Sequence, residues 1–213
     1  MNKQLKPRTK PKSAGSLLLL LTLLFAGCTS LKRCAYEGIN RDEWQKPDEV
    51  IRVLGIGPGD LIADVGSGGG YFTFRLARAT GPSGKVYAVD VDADMNSYIA
   101  NRARDEGVAN IEVILAKPDD PLLPPPGVDL LFITNTYHHL DNRRAYFAKA
   151  SKYLRGGGRV AIIEFSDNSW FATFNSHHTS KDTIKKEMSE AGYKLEREFD
   201  FLPKQNFLVF AKK

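Results

Sequence analysis

Cysteine is scarce: Cys28 and Cys34 are the two in a chain of 213 residues. One pair at most cannot build a disulfide framework or a four-cysteine metal site. Histidine is also rare, with four residues in two adjacent pairs, His138–His139 and His177–His178. No carboxylate spacing accompanies them, so no metal centre is expected. Long apolar runs are missing as well. The longest, ending near Ala26, has about a dozen residues, short of the roughly twenty that cross a bilayer as a helix. Acidic residues are missing from the first 28 positions, where Lys3, Lys6, Arg8, Lys10 and Lys12 stand unopposed. Those five account for the whole net charge of +5; beyond them 25 basic residues face 25 acidic ones. A balanced remainder excludes a basic footprint, and no nucleic-acid partner is expected.

The early cations precede a short apolar region that ends Leu24-Phe25-Ala26-Gly27-Cys28. Basic residues, an apolar run and small residues at its end are the layout of a secretory signal. The ending resembles the lipobox of bacterial lipoproteins, with Phe25 where that family usually has leucine. The resemblance implies cleavage before Cys28, acylation of that cysteine, and an exported domain held to the membrane by its lipidated N-terminus. An uncleaved signal-anchor is the alternative. The expected division is a signal peptide over 1–27, a tether over 28–40 with Cys34 as a spectator, and a folded domain over 41–213.

That domain is organised around Leu61-Ile-Ala-Asp-Val-Gly-Ser-Gly-Gly-Gly-Tyr-Phe-Thr-Phe-Arg75. An apolar run, four glycines in five positions and a helical pattern predict strand, bend and helix, the layout of a nucleotide-binding unit. A dinucleotide fingerprint needs a third glycine where Tyr71 or Thr73 stands. Here an acid precedes the bend instead, Asp64-x-Gly66-x-Gly68-x-Gly70, and a carboxylate there repels a pyrophosphate and attracts a cation. This motif resembles the first motif of class I S-adenosylmethionine-dependent methyltransferases, whose cofactor carries an ammonium, a sulfonium and no phosphate. The resemblance implies that Asp64 and the loop residues Gly66, Ser67, Gly68 and Gly70 hold the methionine end of S-adenosylmethionine.

The remaining elements follow in order. The stretch 41–54 predicts a helix with Pro47 at N1, acids in its first turn and Val50, Ile51, Val53 and Leu54 as its apolar face, and Trp44 stands either as core or as a cover over the cofactor. Strands are expected over 60–65, 85–91, 111–116 and 128–134, with helices over 70–79 and 94–106. Asp90 closes the second strand twenty residues after Gly70, where such units place an acid for ribose hydroxyls. Asp94 is expected to cap the next helix and Asp92 to be solvated. After the third strand the resemblance implies an acid on the adenine amino group, Asp119 or else Asp120. The continuous apolar run Val128–Thr134 predicts a strand buried on both faces, delivering Asn135-Thr-Tyr-His-His-Leu140 to the ligand edge. Asn135 is a candidate cofactor contact. His138 or His139, not both, is the candidate to take a proton from a small-molecule acceptor.

Asp141 is expected to cap a helix over 142–154, and Arg155-Gly-Gly-Gly-Arg159 to turn into a fifth strand ending at Glu164. Residues 166–179 mix aromatic and polar groups as a loop over an acceptor pocket does. A helix over 181–191 and strands over 193–200 and 206–211 close the chain, and five residues between those strands force an antiparallel hairpin. The fold expected is α/β, a Rossmann-like seven-stranded mostly parallel sheet with helices on both faces and a C-terminal antiparallel hairpin. The resemblance, nearest to the quinone-biosynthesis branch, implies methyl transfer to a small molecule by direct displacement at the sulfonium. A nucleoside-binding lipoprotein without catalysis and a nicotinamide oxidoreductase are the rivals.

Overall fold

The computed structural model describes residues 40–166 and 178–213, all within the unit Ile39–Lys213. The expected signal, the tether up to residue 39, Cys28 and Cys34 lie outside the described residues, as do His177 and most of the aromatic loop. Among the described residues no helix is long and apolar enough to cross a membrane.

The chain runs α1 (Arg41–Gln45), α2 (Pro47–Leu54), β1 (Leu61–Val65), α3 (Thr73–Thr80), β2 (Lys85–Asp90), α4 (Ala93–Asp105) and β3 (Ile111–Leu115). It continues with β4 (Val128–Thr134), a 3₁₀ turn at Tyr137–His139, α5 (Arg143–Ala150), β5 (Leu154–Phe165), α6 (Lys181–Glu190), β6 (Tyr193–Phe199) and β7 (Gln205–Lys212). The seven strands form one sheet in the order β3-β2-β1-β4-β5-β7-β6. β1 to β5 are parallel, and β7 runs antiparallel to both β5 and β6. This is the expected architecture, terminal hairpin included.

Alternation along each strand divides the core between two faces. Ile62, Val86, Leu130, Phe132, Ala161 and Ile163 meet Val50 and Leu54 of α2 and Leu76 and Ala77 of α3. Ala63, Val65, Leu131, Ile133, Val160 and Ile162 meet Tyr146 and Phe147 of α5 and Ile184 and Met188 of α6. Each fully buried side chain of this size contributes about 1.5–3 kcal/mol. Both faces of β4 are therefore dry, which explains its unbroken apolar run.

The helix expected with Pro47 at N1 starts there, and Lys46, at φ 43°, separates it from the short α1, since the residue before a proline disfavours the helical region. Three local expectations are corrected. α3 starts at Thr73, three residues late, since Gly66, Gly68 and Gly70 all have positive φ. Asp92, not Asp94, caps α4, accepting the N–H groups of Asp94 and Met95. Asn142, not Asp141, caps α5 through the N–H of Ala145. In both cases the residue just outside the helix has a non-helical backbone and accepts free N–H groups of the first turn through its side chain.

The sheet order reverses between β1 and β4. Ligands of open α/β sheets sit outside the carboxyl ends of the strands at such a point. The bend after β1 and the turn after β4 are side by side there.

Candidate active site

The bend is held from β2. The N–H groups of Gly66 and Ser67 donate to the carbonyl of Val89, at 2.8 and 3.2 Å. The N–H of Gly68 donates to Asp90 Oδ2 at 2.8 Å. The other Asp90 oxygen accepts the N–H of Asp92 at 2.9 Å. Gly66 is required as glycine: it has φ +75°, and a Cβ would lie 2.1 Å from Thr136 Oγ1. The two loops of the crevice touch at that point.

Asp64 lies beneath the bend, 3% exposed. Its Oδ2 accepts the hydroxyl of Thr73 at 2.6 Å. Burial pushes its carboxyl up to about 6, although the Thr73 bond and the nearby Arg41 oppose the rise. A carboxylate in that state gains from a cation brought to it. The same burial pulls Arg41 down to about 10. Ser67 Oγ in the bend and Thr134 Oγ1 at the end of β4 are buried with no hydrogen-bond partner. Unsatisfied buried polar atoms are uncommon in folded proteins and call for a polar occupant. A donor set of one buried carboxylate, one carboxylate at the end of β2, orphan hydroxyls and glycine backbone fits a cationic nucleoside.

α1 spans the bend through polar contacts. Tyr71 lies between Arg41, 3.8 Å from its ring centre, and Arg75, 4.2 Å from it. Its hydroxyl donates to Asp42, which Arg75 also grips. Gln45, buried in α1, accepts from Arg41 and donates to Gln205 Oε1 at 3.2 Å. Gln205 donates to Asn135 Oδ1 at 2.6 Å, and Asn135 has φ 53°. An amide ladder thus joins α1, the start of β7 and the turn after β4. Trp44 is half-buried beside Phe165, ring centres 6.0 Å apart.

The two histidines point differently. His138 has its side chain 7% exposed and places Nδ1 3.0 Å from both oxygens of Glu164, which is fully buried. His139 is exposed and packs its ring on His138 at 4.1 Å. The turn is anchored from the other face. The Tyr137 hydroxyl donates to Glu187 at 2.8 Å, and Arg143 grips the same carboxylate with two nitrogens, at 2.7 and 3.0 Å.

The structure brings Asp64, the glycine bend, Asp90, Asn135 and His138 to one edge. Asp119 is different: its side chain is 76% exposed and paired with Lys149 at 3.0 Å. Asp120 turns inward, taking the Tyr153 hydroxyl and the N–H of Leu122. Those bonds and Lys149 outweigh its burial and hold it at about 2. Sequence reasoning missed Thr73, Arg41 and the Gln45–Gln205 ladder, and Val91, 58% exposed directly after Asp90. A large apolar residue at the end of a buried strand was a readable signal for Val91. Among the described residues no three His, Cys, Asp or Glu side chains gather as a metal set.

A parallel sheet ending in an antiparallel hairpin, with an acid ahead of a glycine bend at the switch point, defines a Rossmann-like methyltransferase fold. Residues 56–201 match the family described as "Methyltransferase domain", and the chain belongs to that family. Among curated relatives, the ubiquinone/menaquinone biosynthesis C-methyltransferase UbiE of Hahella chejuensis is 30% identical over 113 residues, 53% of this chain and 45% of that protein. The UbiE of Hydrogenovibrio crunogenus is 24% identical over 188 residues, 73% of each chain. The match thus spans about half the length of the first of these relatives. A SAM dependent methyltransferase from Aquifex aeolicus has the same fold, with TM-score 0.78 and 23% identity over 84% of this chain and 96% of that one. So does magnesium protoporphyrin IX methyltransferase from Synechocystis, solved with bound SAH, with TM-score 0.65 and 16% identity over 87% of this chain and 95% of that one.

Proposed function

We propose that the chain is an S-adenosylmethionine-dependent methyltransferase acting on a small molecule. The observation that carries this reading is Asp64, a buried carboxylate with a raised pKa directly beneath a glycine bend. Bound there, S-adenosylmethionine supplies a methyl group on a sulfonium that already leaves well as a thioether, so alignment and exclusion of water are the protein's main tasks. Asp64 faces the donor's ammonium. Gly66, Ser67, Gly68 and Gly70 line its methionine end, Ser67 with an unsatisfied hydroxyl. Asp90 takes the ribose hydroxyls with lone pairs beyond those given to Gly68 and Asp92. Val91 offers an apolar face to adenine, and Asp119 leaves its exposed ion pair for the adenine amino group. Asn135 borders the donor, with its conformation set by Gln205. His138 or His139 receives the acceptor's proton. An acceptor of the quinone-precursor type accords with the named activity of the UbiE relatives.

The same reading takes residues 1–27 as a lipoprotein signal, Cys28 as the acylated residue and 28–40 as a tether, which puts the domain outside the cytoplasmic membrane. The support is the basic, apolar and small-residue order of that segment. Export favours one second reading, a nucleoside-binding lipoprotein without catalysis, because S-adenosylmethionine is made in the cytoplasm. Calorimetry on the full chain with S-adenosylmethionine, S-adenosylhomocysteine and NAD tests the donor assignment. Transfer of a labelled methyl group into a quinone-precursor or lipid fraction separates enzyme from binder. Binding of NAD alone would reject both readings.

A further inference from the structure

We infer that a one-way chain of amides, set by Arg41 and passed through Gln45 and Gln205, makes Asn135 a hydrogen-bond donor at the crevice. There it holds a ligand oxygen that can only accept, the carboxylate of the methyl donor or a carbonyl or oxyanion of the methyl acceptor. This rests on the methyl-transfer reading and names the chemistry that Asn135 selects.

The direction starts from Arg41. A guanidinium donates and never accepts, and Arg41, pulled down to about 10, stays charged at neutral pH. It donates to Gln45 Oε1, which leaves Nε2 of that amide to face onward. Gln45 Nε2 donates to Gln205 Oε1 at 3.2 Å, and Gln205 Nε2 donates to Asn135 Oδ1 at 2.6 Å. Turning any one amide over would set N–H2 against N–H2 or oxygen against oxygen. Gln45 is 0% and Gln205 4% exposed, so no bulk water relieves such a mismatch. The chain therefore ends with the Asn135 oxygen turned to Gln205 and its N–H2 turned away.

Asn135 is held where that N–H2 is useful. Its backbone N–H donates to the carbonyl of Ile163 at 2.8 Å, and its φ of 53° is one that asparagine tolerates. The residue follows the end of β4, and its neighbour Thr136 lies against Gly66, so the amide borders the glycine bend. Asn135 is half-buried; among the described residues nothing accepts from its Nδ2, and that nitrogen is not sealed from solvent. Asp64 suits the cationic part of a ligand. An open N–H2 near it suits an oxygen with lone pairs and no proton, and disfavours a second donor group.

The relay is read without ligand, by NMR of the side-chain amides on the full chain, with Asn135 assigned by loss in Asn135→Asp. In the wild type the Asn135 Nδ2 protons should exchange fast with water, and those of Gln45 and Gln205 slowly. Gln45→Glu accepts from Arg41 with one oxygen and turns Gln205 over with the other, so the Asn135 protons should become protected. Protected Asn135 protons in the wild type, or no change in Gln45→Glu, would overturn the inference.

The ligand oxygen is read by calorimetry. Asn135→Asp keeps the shape, the left-handed backbone and the bond from Gln205, and puts an ionised oxygen where the N–H2 stood. If the oxygen is the donor's carboxylate, this variant should bind S-adenosylhomocysteine about tenfold more weakly or worse, and its decarboxylated analogue without loss. If it belongs to the methyl acceptor, S-adenosylhomocysteine should stay within about twofold while 1,4-naphthoquinone binding to that complex falls about tenfold or more. Neither loss would overturn the assignment of Asn135. A wild type that binds no S-adenosylhomocysteine would reject methyl transfer and the ligand oxygen together, while the amide signals judge the relay by themselves.

Discussion

Asp90 and Gly68 are joined across the mouth of the crevice, the carboxylate Oδ2 accepting the glycine N–H at 2.8 Å. The residue proposed for the ribose thus also shapes the bend that receives the methionine end. Its two roles are expected to fail together. Asp90→Ala should weaken S-adenosylhomocysteine binding by about 1–3 kcal/mol, the cost of deleting a partner from a hydrogen-bond set that the bound donor would bury. Calorimetry reads that loss, and amide exchange at Gly68 should rise in the same variant. Unchanged affinity with a loosened Gly68 would mean that Asp90 shapes the bend and does not touch ribose.

Asp64 makes the empty protein less stable than it could be. Its folded pKa of about 6 lies above the ordinary value of 3.8. Between pH 4 and 6 the folded state therefore binds the proton that the unfolded state releases. For this group alone, stability is highest below pH 4 and falls as the pH rises to 6. The full difference is about 3 kcal/mol, from the ~1.4 kcal/mol carried by each pKa unit. Asp64→Asn should accordingly raise ligand-free stability at pH 7 by up to that amount, and by almost nothing at pH 4. The same variant should lose S-adenosylmethionine binding by tenfold or more. Wild-type binding should strengthen as the pH rises through 6 and Asp64 ionises. Urea unfolding at both pH values and calorimetry across the range check all three, and a variant less stable at pH 7 would contradict the reading.

Gly66 allows a two-part test of the contact between the loops. Alanine there pays about 1 kcal/mol for a left-handed backbone and about 1–3 kcal/mol more for overpacking against Thr136. Thr136→Ala should not relieve the clash, since Thr136 Cβ itself would lie 2.6 Å from the new atom. Thr136→Gly should recover the packing share and leave the backbone share. Denaturant midpoints of the two double variants distinguish the shares.

Much of the fold was legible because its signals are local. The bend announces itself within Asp64–Gly70, β4 by its unbroken apolar run, and the final hairpin by the five residues between its strands. Caps were misread by one or two positions, Asp94 for Asp92 and Asp141 for Asn142. Neighbouring residues of the same capping chemistry differ only in which one stands just outside the first helical turn, and composition does not encode that. The Gln45–Gln205–Asn135 ladder was not legible at all, because its first pair meets across 160 residues and amides carry no periodic mark. Glu164 could be placed beside the site, but its grip on His138 depends on the register of β4 with β5, where Thr134 pairs with Ile163. Register is a property of the assembled sheet.

Asp119 and Asp120 separate a ligand contact from a structural one. Asp120 is 5% exposed and satisfies the Tyr153 hydroxyl and the Leu122 N–H. Asp120→Ala leaves both donors unmatched and should cost about 1–3 kcal/mol of stability. Asp119 is on the surface, and Lys149, its partner, also reaches Asp120 at 3.1 Å. Asp119→Ala should therefore leave thermal stability nearly unchanged, as exposed ion pairs contribute little. If Asp119 turns to the adenine amino group when the donor binds, the variant should bind S-adenosylhomocysteine several-fold more weakly. It should also discriminate less against the inosine analogue, which carries a carbonyl in place of that amino group. Equal affinity of wild type and Asp119→Ala for both nucleosides would remove Asp119 from the site and leave Val91 and the backbone of the β3–β4 loop as the surroundings of the base.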